Sequence, residues 1–292
     1  MAIRIWPMQD LIVVDGWLDG DECRRLIADG NAYCPTEAGR VIHGGRNFVP
    51  NTTTAWQHLC ASSESWRSLN HRLGSSEFLD WIVSRLDAHG FDADLVLTRL
   101  FTKRRPGLDR WLQSASPEGR AGAARLMHLV TQRFNRSQMG LRRRLRYARH
   151  RLVARQTAVE LLCDYSRASD GYGRVIHRDS DMRRYVFLLY LNALDDGATG
   201  GSLDIYRLAR PWQGTPDWPS EDECELVDSV APAAGCLIVF RNTNTSYHGV
   251  SVMEGHGTAR HFLYGGFTQL GGTNPNMLGS VGSIPTEFHL YA

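Results

Sequence analysis

Residues 159–179 read VELLCDYSRASDGYGRVIHRD. An apolar run gives way to Ser, Asp and Gly, and a second short apolar run ends in His177-Arg178-Asp179. That is the chemistry of strand, turn and strand. Comparable runs follow as RYVFLLYLN at 184–192, GGSLDIYRL at 200–208, CLIVF at 236–240 and ARHFLYGGFTQ at 259–269. Turn residues separate them. Five such runs in so short a stretch predict an antiparallel sandwich or barrel from about residue 158 onwards.

The same stretch carries a metal-binding pattern. In a strand, residues i and i+2 point to one side, so His177 and Asp179 can present an imidazole and a carboxylate to a single ion. A second histidine, His248, stands 69 positions after Asp179 in the run NTSYHGV. Two histidines and one carboxylate form the facial triad of non-haem Fe(II) oxygenases, which leaves three positions for cosubstrate and O2. A 2-oxo acid would chelate such a metal and need a cation for its far carboxylate, a task arginine performs with two parallel hydrogen bonds. Arg260 lies 12 residues after His248, and no Lys or Arg follows it. Tyr165 is a candidate hydrogen-bond donor to that carboxylate; a tyrosine packed in the core is the competing reading. Of the 11 histidines, His256 and His261 are rival distal ligands. His256 has Arg260 only four residues later, and His261 has no basic residue after it, so His248 is preferred. His177-Arg178-Asp179 is no kinase catalytic loop, because no Asn follows at the required place and there is no DFG or Gly-rich loop.

The ordered set LLCDYSRASDGYGRVIHRDSD, YVFLLYLN, GATGGSLDIY, APAAGCLIVF, YHGVSVMEG and ARHFLYGGF resembles the catalytic core of 2-oxoglutarate/Fe(II)-dependent dioxygenases, in the prolyl-4-hydroxylase-like branch. The opening PMQDLIVVDGWLDGDECRRLIADG is similar to that branch's N-terminal strand and helix. The resemblance implies an α+β chain with a double-stranded β-helix (jelly-roll) core buttressed by N-terminal helices. It implies His177, Asp179 and His248 as both metal ligands and catalytic centre. It implies Fe(II) and 2-oxoglutarate as cofactors, the latter held by Arg260, with ascorbate as an additional expectation. Two departures stand out. Arg260 replaces the lysine of the collagen-type enzymes, and His248-Gly249-Val250-Ser251-Val252 lacks the proline common after the distal ligand. Retention of Asp179 argues against a halogenase.

Upstream, residues 9–16 read as a short strand. Asp19 suits a helix N-cap with Glu22 three residues on. Ser75 or Ser76 suits another, with Phe78, Ile82 and Leu86 on one face. Residues 40–56 read as loop and strand. Between Lys103 and Arg155 stand 15 basic residues against Asp109 and Glu118, within a chain of net charge only +2. Leucines at helical spacing with arginines opposite predict a basic amphipathic helix there. The expected organisation is therefore an N-terminal strand and helix support (1–100) of the same domain, an arginine-rich helical insertion (101–157), the β-helix core (158–270) and a C-terminal extension (271–292). Gly200-Gly201 suits a hairpin turn. Stretches near Trp212 and Trp218 suit either a substrate lid or cover for a sheet edge.

Composition bounds the rest. With 42% hydrophobic and 22% charged residues the chain can build a core. Its six cysteines form no CxxC pair, which argues against a structural zinc site or a thioredoxin-type dithiol, and six in a chain this long are not a disulfide scaffold, so reduced thiols are expected. No apolar run approaches a membrane span and no signal peptide is evident, so a cytoplasmic location is expected. The resemblance implies hydroxylation of an unactivated C–H in a peptide prolyl residue or a small or carrier-bound metabolite, with O2 consumed and succinate and CO2 released. The arginine-rich segment suggests an anionic or carrier-tethered substrate, with nucleic acid not expected. Desaturation, cyclisation or epimerisation with the same cofactors is one alternative. A non-catalytic jelly roll gripping an anionic partner through the basic helices is another. Oligomeric state is not readable.

Overall fold

The computed structural model describes residues 2–6, 10–33, 45–88, 97–100, 156–179, 183–209, 218–243, 245–255, 257 and 259–269. The arginine-rich helices, the extension from Gly271, Trp212 and His256 lie outside the described residues.

The elements in chain order are β1 (Ile3–Trp6), β2 (Leu11–Val14), α1 (Gly20–Asn31), β3 (Arg46–Pro50), α2 (Thr54–Ser62), α3 (Glu64–Leu73), α4 (Ser76–Ala88) and β4 (Leu97–Leu100). There follow β5 (Gln156–Ala168), β6 (Arg174–His177), β7 (Arg183–Tyr190), β8 (Leu203–Leu208), β9 (Cys224–Val230), β10 (Leu237–Arg241), β11 (His248–Val250) and β12 (Arg260–Gln269). They form two sheets. The larger runs β1-β2-β10-β7-β12-β5-β3, with β4 added parallel to β5, and the smaller runs β6-β11-β8-β9. All other pairings are antiparallel. This is the double-stranded β-helix expected from the sequence, with the N-terminal strands completing its larger sheet.

Strand alternation sorts the core into two layers. One face of the larger sheet, with Ile12, Val14, Tyr165, Phe187, Leu189, Val239 and Leu263, packs against the helices through Leu26, Trp56, Trp66, Leu69, Phe78 and Ile82. The other face, with Val13, Val186, Leu188, Tyr190, Ile238 and Phe262, meets Leu203, Ile205 and Val230 of the smaller sheet. Fully burying each large apolar side chain contributes roughly 1.5–3 kcal/mol, so both layers matter to stability.

The helices begin where capping side chains allow. Asp19 accepts from the Glu22 amide at 2.7 Å, and Ser75 accepts from the Phe78 amide at 3.1 Å. Helices α2 and α3 are not among the elements expected from the sequence. Their caps, Thr53 and Ser63, accept from the Trp56 and Trp66 amides. A cap contributes about 1 kcal/mol. The Trp66 indole N–H then donates to the Leu26 carbonyl at 2.9 Å, tying α3 to α1. None of the helices among the described residues is long and apolar enough to cross a membrane.

Candidate metal centre

His177 closes β6 and His248 opens β11, and the two are register partners across the antiparallel pair. Asp179 lies two residues past His177, beyond the end of β6. The expectation that strand alternation sets the His-x-Asp pair is thus half met: the strand places the histidine, and the following loop places the carboxylate. One ligand atom from each of the three lies within 4.8 Å of the others. All three residues are buried.

Backbone hydrogen bonds orient both imidazoles. His177 Nδ1–H donates to the Val175 carbonyl at 2.9 Å, and His248 Nδ1–H donates to the Ser246 carbonyl at 2.9 Å. A carbonyl only accepts, so each Nδ1 carries a proton and Nε2 is the ring nitrogen left to face the cluster. Asp179 is held from the other side. Its Oδ1 accepts from the Tyr264 hydroxyl, and Arg183 Nη1 lies 3.6 Å from the same oxygen. Among the described residues its Oδ2 has no hydrogen-bond partner, and it faces His248 Nε2 at 3.7 Å. A buried carboxylate oxygen turned towards an imidazole lone pair is unfavourable unless a cation lies between them. The donor set therefore fits a divalent metal of the imidazole- and carboxylate-binding kind.

Electrostatics keep the cluster in its ligating form. Burial, then the neighbouring His248, pushes the His177 imidazole down to about 3. Burial alone would raise Asp179, but Arg183, His248, His177 and the Tyr264 hydrogen bond hold its carboxyl at about 2. Both shifts have the same sign for stability. His177 takes up its proton near 6.5 when unfolded, so its contribution is whole above that pH and is lost as pH falls towards 3. Asp179 adds a further loss between its ordinary 3.8 and about 2. The denaturation midpoint of metal-free protein should therefore fall between about pH 6.5 and about pH 4.5, with a limiting slope of roughly 1.4 kcal/mol per pH unit. A flat midpoint across that window would show that the imidazole is not held neutral by the fold.

Arg260 opens β12 and is 2% exposed. It donates to the Gly201 carbonyl, and its guanidinium carbon lies 4.6, 4.7 and 6.0 Å from the ring centroids of Phe262, Tyr190 and Tyr172. Gly200 and Gly201 have φ of +72° and +73°. They run alongside the segment after β11, where the Gly201 amide donates to the Ser251 carbonyl at 2.8 Å. A Cβ on Gly200 would stand 1.7 Å from the Val252 carbonyl oxygen, and one on Gly201 would stand 3.3 Å from the Arg260 guanidinium. The two glycines permit this close approach; they are not the hairpin turn expected.

Tyr165 requires a correction. It projects to the helix-packed face, shares a hydrogen bond with His261 Nδ1 at 2.8 Å and packs edge-on to Trp66 at 4.9 Å. Its register partner on β12 is Leu263, which points away from the side that Arg260 and Phe262 occupy. It cannot contact an anion held by Arg260. His261, a rival ligand by sequence, is engaged by Tyr165 on the same remote face. Residues that sequence reasoning does not reach include Tyr172 and Tyr190 beside Arg260, and Arg183 and Tyr264 on Asp179. Trp218 stacks on His177 at 5.2 Å with an 18° interplanar angle, and remains 57% exposed.

Comparison with known proteins bears on this geometry. No curated protein matches the chain. Among solved structures, a Pseudomonas putida prolyl-4-hydroxylase is 16% identical, with 90% of this chain and 94% of that one covered and a TM-score of 0.41. A Phytophthora capsici prolyl 4-hydroxylase is 13% identical over 93% and 62%, with a TM-score of 0.47. The alpha-ketoglutarate-dependent carbocyclase SnoK of nogalamycin biosynthesis is 11% identical over 89% and 80%, with a TM-score of 0.46. Residues 163–265, which hold His177, Asp179, His248 and Arg260, match the family model described as the 2OG-Fe(II) oxygenase superfamily, so the segment that carries the candidate metal centre is similar to oxygenases that use Fe(II) and 2-oxoglutarate.

Proposed function

We propose that this protein hydroxylates an unactivated C–H of a prolyl residue in a peptide, or of a small or carrier-bound metabolite, in the manner of the prolyl-4-hydroxylase-like branch. His177 and His248 would hold Fe(II) as neutral imidazoles, with Asp179 as the anionic ligand. Bound iron supplies the oxidising chemistry, in which O2 and 2-oxoglutarate become succinate, CO2 and the substrate's new hydroxyl.

The observation that carries this reading is the state of Arg260. A buried guanidinium costs several kcal/mol of desolvation unless an anion accompanies it. Among the described residues Arg260 forms no ion pair, and a single carbonyl accepts from it. That arrangement suits a dicarboxylate cosubstrate, whose far carboxylate completes the site. Tyr172 and Tyr190, on Arg260's side of the sheet, take the place expected for Tyr165. At the outer side, Trp218 covers His177 and the Arg174 guanidinium lies 5.8 Å from the indole centroid. An exposed aromatic face with a cation beside it suits a substrate ring that carries an anionic group.

The test needs no knowledge of the substrate. Anaerobic titration with Fe(II) and 2-oxoglutarate should give a visible metal-to-ligand charge-transfer band, lost in His177→Ala. A folded, iron-loaded protein without that band would overturn the reading.

A further inference from the structure

We propose that Tyr264, backed by Arg183, selects which oxygen of Asp179 is offered to a metal and so keeps this carboxylate a one-oxygen ligand. The inference rests on the iron reading above and adds a positioning residue to it. The two oxygens of Asp179 have different surroundings. Oδ1 accepts from the Tyr264 hydroxyl and lies 3.6 Å from Arg183, whereas Oδ2 has no hydrogen bond among the described residues and faces His248. Hydrogen bonds to a charged acceptor are the strong ones, so Oδ1 is not readily surrendered to a metal.

The Tyr264 ring is itself fixed. The Arg183 guanidinium lies 4.5 Å from its centroid and that of Arg46 lies 5.7 Å away. Arg46 is held in turn by Asp164 at 2.5 Å and by Ser166 at 2.9 Å. A phenol with two guanidiniums close to its ring, each attracted to the π system, has little reason to swing away. Tyr264 also lies four residues after Arg260 on β12, so the two share a face of that strand. One strand thus supplies both the cosubstrate's cation and the restraint on the metal's carboxylate.

The count of coordination positions gives this restraint a purpose. Two imidazoles and one carboxylate oxygen leave three positions of an octahedron. A 2-oxo acid binding through two oxygens leaves one for O2. A second oxygen from Asp179 would take that last position. Tyr264 therefore protects access for O2 without touching it.

Co(II) is the probe, since its visible d–d absorption reports coordination number. The full chain is titrated anaerobically with Co(II), as wild type and as Tyr264→Phe. The variant is expected to bind Co(II) about 10-fold or more weakly. With 2-oxoglutarate also bound, its d–d band should lose intensity, as a site whose sixth position is filled by the second Asp179 oxygen does relative to one that leaves that position open. Wild-type affinity and an unchanged band in folded Tyr264→Phe would overturn the proposal. If Tyr264→Phe does not fold, Arg183→Gln decides in its place: a shift in the same direction supports the proposal and wild-type values overturn it. A wild-type protein that gives no Co(II) spectrum would instead sink the metal reading itself, and the two failures are thereby told apart.

Discussion

Asp179→Ala is expected to abolish 2-oxoglutarate-dependent succinate formation and to weaken Fe(II) binding by more than about 100-fold. Losing a residue that merely orients a ligand already costs roughly 10- to 100-fold in metal affinity, so losing the anionic ligand itself must exceed that range. Two neutral imidazoles remain, and they place two like dipoles together with no negative charge to hold a dication. The side chain is buried and held by Tyr264 and Arg183, so its removal also perturbs the fold. Asp179→Asn separates the two effects. The amide oxygen can still accept from Tyr264, yet the charge is gone. Circular dichroism should show a native-like Asn variant, while metal affinity measured by calorimetry falls with it. Succinate formation that survives in either variant would remove Asp179 from the ligand set.

What the sequence discloses of this site depends on the range of each contact. His177, Asp179, His248 and Arg260 sit in a spaced pattern along the chain, and His248 and His177 need only one strand pairing to meet. Tyr264 and Asp179 are 85 positions apart, and nothing local to either one announces their hydrogen bond. Tyr165 departs from its expected place for a different reason. Along β5, Val159, Leu161, Cys163 and Tyr165 alternate with Asp164 and Ser166, so Tyr165 shares a face with the apolar residues that pack on the helices, while the polar face is buried as well. Parity then says that Tyr165 and Asp164 point to opposite sides, but not which side holds the site. Strands β5, β7, β8, β10 and β12 are legible as apolar runs between turns. Strand β9, CELVDSV, is exposed along most of its length and so carries no such run. Strand β11, with three residues, is too short to leave a periodic trace, and its existence follows from pairing on both sides. Helix α2 escapes because it begins within the Gly-, Pro- and Thr-rich stretch 40–56, which points to loop and strand, and α3 because its ten residues are mostly polar. Their caps at Thr53 and Ser63 are the available signal.

Arg260→Met is expected to have opposite effects on binding and on stability. Truncating one partner of a buried, hydrogen-bonded charge pair costs about 2–5 kcal/mol. At about 1.4 kcal/mol per decade, 2-oxoglutarate should bind roughly 30- to 4,000-fold more weakly. Without cosubstrate the balance reverses. Arg260 is then a buried cation whose one acceptor among the described residues is the Gly201 carbonyl. Replacing a buried charge by an apolar side chain of similar length is often neutral or stabilising. Loss of the hydrogen bond to Gly201 offsets about 1–3 kcal/mol of that gain. The rings of Phe262, Tyr190 and Tyr172 would pack on the methionine in place of the guanidinium. The melting temperature of cosubstrate-free Arg260→Met should therefore not fall below that of wild type. Adding 2-oxoglutarate with an anaerobic divalent metal should raise the wild-type value, by about 2.7 kcal/mol of stability at roughly a hundredfold excess over the dissociation constant. The variant should show little of that increase at the same concentration. A variant that loses stability without cosubstrate, yet binds 2-oxoglutarate as the wild type does, would make Arg260 a structural cation. The dicarboxylate's anchor would then have to lie elsewhere in the chain.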